Sequence, residues 1–205
     1  MNRYTTVAKE TRAEQVIDRS RFIAHIAPVR SKEEADAFIA GVRAQYRDAT
    51  HNVPAFIVGE KSELKWTSDD GEPQGTSGPP VLQMLEREGL TNLVCVVTLY
   101  FGGIKLGTGG LVRAYTSSAK LALEAAGIHT VKDVASFSVT LPYTLLGKVQ
   151  NLEKDAPFTI ESIDYTDTVC LHLAMDLEEE ERVKALMLEL SAGKAAIGET
   201  VHAVK

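Results

Sequence analysis

The chain has little cysteine and no long hydrophobic stretch. Its 205 residues include two cysteines, Cys95 and Cys170, one tryptophan and 6% aromatic residues. Both cysteines lie within apolar runs, far apart and without metal-ligand spacing, which predicts two buried free thiols. No apolar run has the ~20 residues needed to cross a bilayer, and the N-terminus lacks the apolar core of a signal peptide. We therefore expect a cytoplasmic protein.

Excess positive charge is also lacking, since the net charge is −6. Residues 1–130 carry 15 basic and 15 acidic side chains, whereas residues 131–205 carry 7 basic and 13 acidic ones. This balance argues against a protein that coats nucleic acid by neutralising phosphates, but it leaves a local basic face possible on the neutral part. The hydrophobic content of 44% is that of a globular protein with a sizeable core.

The central feature of the sequence is an apolar strand, a glycine-rich loop and a helix in succession. Residues 93–100 are rich in β-branched side chains, which is typical of a buried strand. Five glycines follow between positions 102 and 110. Apolar residues then recur at helical spacing from Leu111, and Gly127 provides a stop. A glycine loop at a helix N-terminus can bind an anion, although it is also typical of a tight turn.

Two known nucleotide-binding motifs do not fit this loop. A Walker A motif counted from Gly102 requires lysine where the chain has Thr108. A dinucleotide fingerprint counted from Gly107 requires a third glycine where the chain has Val112. Phosphate or nucleotide binding by the loop Gly102–Gly110 therefore remains a hypothesis without a motif to support it.

A second loop is the most polar part of the chain. Residues 68–80 contain the carboxylates Asp69, Asp70 and Glu72 among turn-forming residues, so they do not belong to the core. Proline at 79 and 80 predicts the first turn of a helix that ends at Gly89. Because both loops lead into helices, we expect them to converge on one site.

Hydrophobic periodicity predicts the remaining elements. In the first part of the chain we expect strands at 22–28 and 53–60 and a helix from the cap Ser31 to about Tyr46. The last part predicts strands at 133–141, 158–165, 168–175 and 199–204 and helices at 144–155 and 178–191. That βαββαβ order is the ferredoxin-like pattern. We expect two domains, at 1–130 and 131–205.

Three segments in sequence order closely resemble the IMPACT/YigZ family. They are Asp48–Asn52, Ser68–Gly78 and Tyr100–Tyr115, and the match extends over about 18–126. The resemblance implies an α+β protein. Its N-terminal α/β domain would be like the second domain of small-subunit ribosomal protein five, and its C-terminal βαββαβ domain would be similar to the ferredoxin-like domains of elongation factor G.

The resemblance also implies a setting in translation. Eukaryotic relatives are translational regulators that bind the scaffold of the general-amino-acid-control kinase, but the chain lacks their additional N-terminal domain, so that partner is not carried over. For bacterial members the family implies a role in translation or nucleic-acid binding. We expect a binding protein for RNA, the ribosome or a translation factor. The side chains expected to contact phosphate are Arg19, Arg21, Lys105 and Arg113, and those expected to stack on bases are Tyr100, Phe101 and Tyr115.

An enzymatic function is left open as the alternative. Asp69, Asp70, Glu72 and His51 are suitable residue types for a metal-dependent, peptidase-like hydrolase, but no H-E-x-x-H or comparable spacing occurs. We assign no catalytic residue, metal ligand or cofactor, and no membrane partner or oligomeric state. The candidate binding surface comprises His51, Asn52, Ser68, Asp69, Asp70, Glu72, Thr76, Tyr100, Gly102, Gly103, Lys105, Gly107, Gly109, Gly110 and Arg113.

Overall fold

A computed structural model of the chain describes residues 2–205. These residues divide into two compact units. The first is Tyr4–Thr130, and the second is Val131–Lys205 together with Asn2 and Arg3. Within the described range, no helix combines the length and the apolar character that crossing a membrane demands.

The part of the chain up to Thr130 forms six strands and three helices within the described residues. The strands are β1 Asn2–Val7, β2 Thr11–Ile17, β3 Ser20–Pro28, β4 His51–Val58, β5 Leu64–Thr67 and β6 Leu93–Tyr100, and the helices are α1 Lys32–Gln45, α2 Gly78–Arg87 and α3 Gly107–Ala126. Strands β2 to β6 make an antiparallel sheet in the order β2-β3-β6-β4-β5.

Helices cover both faces of this sheet. In β3, Phe22 and Ile26 belong to the core that includes α2 and α3, whereas Ile23 belongs to the core under α1. Residues 93–99 of β6 are buried on both sides for the same reason. A strand between two covered faces needs apolar side chains at every position, which explains the uninterrupted run in the sequence.

Most predicted helix ends are confirmed. The backbone N–H of Glu34 donates to Ser31 Oγ over 3.2 Å at the start of α1. Gly127 follows α3 with φ of +71°, a conformation that suits glycine. However, α3 begins at Gly107 rather than Leu111. Gly107, Gly109 and Gly110 thus lie in the first turn of the helix, which side-chain periodicity does not reveal because glycine has no side chain.

The C-terminal part contains five strands and two α-helices within the described residues. They are β7 Ile128–Leu141, α4 Tyr143–Leu152, β8 Thr159–Tyr165, β9 Val169–Asp176, α5 Glu180–Leu190, β10 Ala196–Ile197 and β11 Val201–Val204. The sheet runs β8-β9-β7-β11, and β1 and β10 also pair with β7. This is the ferredoxin-like strand order, so the predicted α+β fold class is confirmed.

The prediction for the two cysteines is correct for one and wrong for the other. Cys95 is fully buried in β6, and burial raises the pKa of its thiol to about 12. Cys170 is only half-buried. Residues of β9 alternate between buried and half-buried, and Cys170 lies on the face away from the core of α4 and α5. Its apolar neighbours in sequence therefore do not surround it in space.

Candidate functional site

The two loops singled out in the sequence meet at a cavity of about 420 Å³ in the first unit. The cavity lies where β6 ends and α3 begins, and the polar loop after β5 contributes one wall. Its lining is largely apolar with a few polar groups, a composition common in ligand pockets of this size. The lining residues are Ser20, Thr50, His51, Glu72, Pro73, Leu99, Phe101, Lys105, Leu106, Gly107, Thr108 and Leu111.

Hydrogen bonds to Ser20 in β3 and to Thr50, just before β4, hold the beginning of the glycine loop. Phe101 N donates to Thr50 Oγ1 and Gly102 N donates to Ser20 Oγ, each over 3.0 Å. A Cβ atom on Gly102 would lie 2.1 Å from the carbonyl carbon and oxygen of Arg19. Only glycine permits this approach, so the loop leaves the sheet in a fixed direction and holds Phe101 at the cavity with 49% of its surface exposed.

The amino-terminal end of α3 faces the cavity. Gly107 and Thr108 line it, and among the described residues no side chain caps this end of the helix. The first N–H groups of a helix have no partner within the helix, and the helix dipole makes this end positive. Lys105, which is exposed, adds a full positive charge beside it. The combination favours a negatively charged group.

Asp69 holds the polar loop together. One of its carboxylate oxygens accepts hydrogen bonds from Ser77 Oγ over 2.8 Å and from the backbone of Ser77 and Gly78, and the other accepts from Gly75 N over 2.7 Å. Burial raises the pKa of Asp69, but these donors outweigh it and the net shift is downward. Because Ser77 provides no cap of its own, Asp69 caps the start of α2.

The other two carboxylates are also bound to the protein. Asp70 forms an ion pair with Arg43 over 2.9 Å and accepts a hydrogen bond from Asn52 N over 2.7 Å. Tyr115 Oη donates to Glu72 Oε1 over 2.8 Å. Burial raises the pKa of Tyr115, and the hydrogen bond to the carboxylate of Glu72 raises it further. The phenol therefore remains protonated and donates the hydrogen bond.

The hydroxyl groups of Ser68 and Thr76 also form hydrogen bonds within the polar loop. Ser68 Oγ accepts from Asp70 N over 3.1 Å, and Thr76 Oγ1 donates to Pro73 O over 2.6 Å. His51 lies beside the loop, with Nδ1 2.7 Å from the carbonyl oxygen of Asp70. The carboxylates accept hydrogen bonds that shape the loop, so this arrangement gives the hydrolase hypothesis no specific support.

The remaining candidate residues do not gather at the cavity. Asn52 is buried on the α1 side of the sheet, where its side chain contacts Thr98 and the backbone of Tyr46. Tyr100 lies on the same side, and its hydroxyl donates to Asp48. Gly103 lies in the loop between β6 and α3, while Gly109 and Gly110 lie in the first turn of α3.

The four cations expected to contact phosphate are dispersed. Lys105 lines the cavity, and the backbone of Arg19 packs against the glycine loop. Arg21 lies opposite Tyr100 on the α1 side and pairs with Glu14 over 2.8 Å. Arg113 lines a separate groove between α2 and α3. Among the described residues, Lys105 is therefore the one lysine or arginine that lines the cavity, and the cavity has no basic face.

Several cavity residues were not among the candidates from the sequence. They are Ser20, Thr50, Pro73, Leu99, Leu106, Thr108 and Leu111, whereas Phe101 was expected from the sequence to stack on bases. Leu106 and Leu111 flank the glycines, and their half-burial distinguishes them from core residues. Their position beside the glycines was the available signal. Ser20 and Thr50 are distant in sequence and reach the cavity only through strand pairing.

Replacing Tyr115 with phenylalanine tests the link between α3 and the polar loop. We expect the free energy of unfolding to fall by about 1–2 kcal/mol, because the half-buried carboxylate of Glu72 loses its donor. Tyr143→Phe is the matched control, since its exposed hydroxyl donates to Thr166 O. Urea denaturation measures both. Equal losses in the two variants would show that the hydrogen bond from Tyr115 to Glu72 stabilises the fold no more than an exposed hydrogen bond does.

The fold and the cavity define a class: a two-unit α+β protein whose first unit carries a loop-lined pocket at a helix N-terminus. Residues 18–123 match the Impact N-terminal domain, and residues 139–194 match a domain of unknown function, DUF1949. The chain therefore belongs to the IMPACT family. IMPACT family member YvyE of Bacillus subtilis is 38% identical over 97% of this chain and 92% of its own.

Further comparisons agree over both units. IMPACT family member YigZ of Escherichia coli is 34% identical over 86% of this chain and 88% of its own. A crystal structure described as that of a hypothetical protein is 32% identical, covers 97% of each chain and superposes with a TM-score of 0.62. The predicted family resemblance is thus confirmed along the chain.

Proposed function

We propose that this protein binds single-stranded RNA in a translational setting, with the cavity between the two loops as its site. Membership in the IMPACT family supports the setting, because the family resemblance implies translational regulation among eukaryotic relatives. With this role we also propose a cytoplasmic location. The observation that carries the proposal is the arrangement of an exposed aromatic ring, one lysine and an uncapped helix N-terminus around a single cavity.

Each of these groups fits one part of a nucleotide. Phe101 is half exposed and can stack on a base, which in RNA is accessible where the strand is unpaired. The N–H groups at the start of α3 and the ammonium of Lys105 fit a phosphate. The apolar wall formed by Leu99, Leu106 and Leu111 fits the flat face of a base rather than a second charged group.

The charges of the cavity and of the whole chain determine how many phosphates we expect the protein to contact. Because one cation lines the cavity and the chain is acidic overall, we expect one or two phosphate contacts instead of a long electrostatic track. For single strands the slope of log K against log salt is about −0.7 per neutralised phosphate, so the expected slope is about −1. This salt dependence distinguishes a local site from general coating of RNA.

Co-sedimentation with ribosomes and ribosomal subunits across a salt series tests the proposal. We expect Lys105→Glu to weaken binding about tenfold and to flatten the salt dependence, and Phe101→Ala to weaken binding at all salt concentrations. Lys120→Glu is the matched control, since Lys120 is exposed on α3 about 20 Å from the start of that helix at 1.5 Å per residue. Equal effects of both charge reversals would contradict a site at the cavity.

A short unstructured RNA oligonucleotide separates RNA binding from protein binding. If the ribosome interaction is carried by RNA, fluorescence anisotropy of the labelled oligonucleotide should respond to the same substitutions in the same order. Binding to ribosomes without any binding to the oligonucleotide would show that a protein partner occupies the surface.

A further inference from the structure

A cysteine, a histidine and an aspartate come together on the second unit, whereas the cavity belongs to the first. One ligand atom from each of Asp164, Cys170 and His172 lies within 4.8 Å of the others. His172 Nε2 lies 2.9 Å from Asp164 Oδ2. Among the described residues this is the one group of at least three histidine, cysteine or acidic side chains close enough to share a metal ion.

The sheet itself brings the three residues together. Cys170 and His172 are two positions apart on β9, so their side chains project from the same face. Asp164 lies directly opposite Cys170 on the neighbouring strand β8. Opposite residues on paired strands have Cβ atoms about 5 Å apart, which suits side chains that converge on one ion. Because both strands are hydrogen-bonded, the arrangement does not depend on a flexible loop.

The face that carries them is accessible. Valine and leucine at 169, 171 and 173 point into the core, which leaves Cys170 and His172 on the opposite face. The side chains of His172 and Asp164 are 43% and 66% exposed. An ion and its remaining water ligands therefore have room to bind.

We propose that Asp164, Cys170 and His172 form a binding site for a divalent transition metal, with Zn²⁺ as the preferred ion. Sulfur, imidazole nitrogen and carboxylate oxygen are the three ligand types that Zn²⁺ takes in proteins, and three protein ligands leave a fourth tetrahedral position for water. Calcium and magnesium are disfavoured because they prefer oxygen ligands alone. The metal binds the Cys170 thiolate, so its uptake releases the thiol proton, whereas neutral His172 binds through one ring nitrogen and keeps its proton on the other.

The same unit contains a control pair. His202 Nε2 lies 2.8 Å from Glu180 Oε2, and Lys184 also contacts Glu180. This histidine–carboxylate pair resembles His172 and Asp164, but among the described residues no cysteine joins it in a ligand cluster. A proposal based merely on an exposed histidine beside a carboxylate would predict metal binding at both places.

Titration of the reduced protein with Co²⁺ as a spectroscopic substitute for Zn²⁺ tests the site. We expect one equivalent of Co²⁺ to produce a thiolate-to-metal charge-transfer band, and Zn²⁺ to remove it by displacement. Cys170→Ser should abolish the band, His172→Gln should weaken binding at least tenfold, and His202→Gln should leave it unchanged. Circular dichroism of each variant verifies the fold. Absence of the band in the wild type, or its persistence in Cys170→Ser, would overturn the proposal.

Thiol modification gives an independent readout. Cys95 is fully buried, so a thiol reagent applied to the folded protein should report on Cys170 alone. We expect saturating Zn²⁺ to slow that reaction at least tenfold in the wild type and in His202→Gln, but not in His172→Gln. Unaltered reactivity in the presence of Zn²⁺ would show that Cys170 is not a ligand.

Discussion

Replacing Asp69 with alanine is expected to lower the free energy of unfolding by about 3 kcal/mol, the largest effect among the substitutions considered. The carboxylate of Asp69 accepts hydrogen bonds from Ser77 Oγ and from the backbone N–H groups of Gly75, Ser77 and Gly78. Hydrogen bonds to a charged group contribute about 1.5–3 kcal/mol, and an unsatisfied buried donor costs about 1–3 kcal/mol. Alanine would remove the acceptor and leave these donors behind.

The environment of the donors makes compensation by water difficult. Ser77 and Gly78 are buried at the start of α2, and Ser77 provides no side-chain cap for the helix. Asp69→Asn would retain one acceptor oxygen but no charge, so its loss should be intermediate. The expected order of stability is therefore wild type, asparagine variant, alanine variant.

Urea denaturation followed by circular dichroism measures this effect. Asp36→Ala is a suitable control, because Asp36 is exposed and its ion pair with Lys32 lies on the surface of α1, where such pairs contribute less than about 1 kcal/mol. If Asp69→Ala kept the stability of the wild type but lost a binding activity, Asp69 would be a functional group of the cavity rather than the anchor of its wall.

Acidification is expected to destabilise the first unit through His25. This side chain is 7% exposed, and among the described residues its Nε2 atom has no hydrogen-bond partner. Burial, assisted by the positive charge of Arg12, lowers its pKa to about 4 from the usual 6.5. The ring packs 4.9 Å from that of Tyr46, whose hydroxyl accepts a hydrogen bond from Arg12. The site thus favours the neutral imidazole.

The lowered pKa of His25 determines the direction in which stability changes with pH. Above pH 6.5 the histidine is neutral in both states, and its contribution to stability is fully present. As the pH falls from 6.5 towards 4, the unfolded chain takes up a proton that the folded protein resists, so stability is lost across this window. At 1.36 kcal/mol per pKa unit, the loss between pH 7 and pH 4.5 is about 2 kcal/mol.

Comparison with His25→Gln isolates this contribution. Free energies of unfolding at pH 7 and pH 4.5 are measured for both proteins, and the wild type should lose about 2 kcal/mol more than the variant on acidification. Carboxylates with lowered pKa values, such as Asp69, also reduce stability in acid, but they act equally in both proteins. An identical pH dependence for the two would mean that His25 titrates normally.

The cavity and the proposed metal site lie in different units and depend on different features of the chain. The cavity depends on a close approach at Gly102 and on the uncapped start of α3. The metal site depends on strand register between β8 and β9. Substitutions at Lys105 and at Cys170 should therefore have independent effects, which allows each proposal to fail without the other.

Some strands escaped prediction because their burial pattern is weak. β2 alternates between half-buried and exposed residues, and β5 has mainly exposed ones. Both lie at the edges of their sheet, where one neighbouring strand supplies hydrogen bonds and little apolar surface is buried. An edge strand is specified by its partner more than by its own residues, so sequence periodicity identifies it poorly.

The sequence by itself determined the elements whose signals are local. Helix caps such as Ser31, the stop at Gly127, the buried strand β6 and the βαββαβ order of the last part all follow from residues close together in the chain. They could be predicted because capping and side-chain periodicity act over a few residues. Glycine content and polarity located the two loops, and two of the three family motifs coincide with them.

Only the tertiary structure decided what the side chains in those loops contact. Asp69, Asp70 and Glu72 look equivalent in sequence, yet each has a different partner. Asp69 caps α2, Asp70 forms an ion pair with Arg43, and Glu72 accepts a hydrogen bond from Tyr115. Asp164 joins Cys170 and His172 because β8 pairs with β9 in one register, and a shift of one residue would place Asp164 on the other face. Strand register and packing bring distant residues together, and local sequence patterns do not encode those distances.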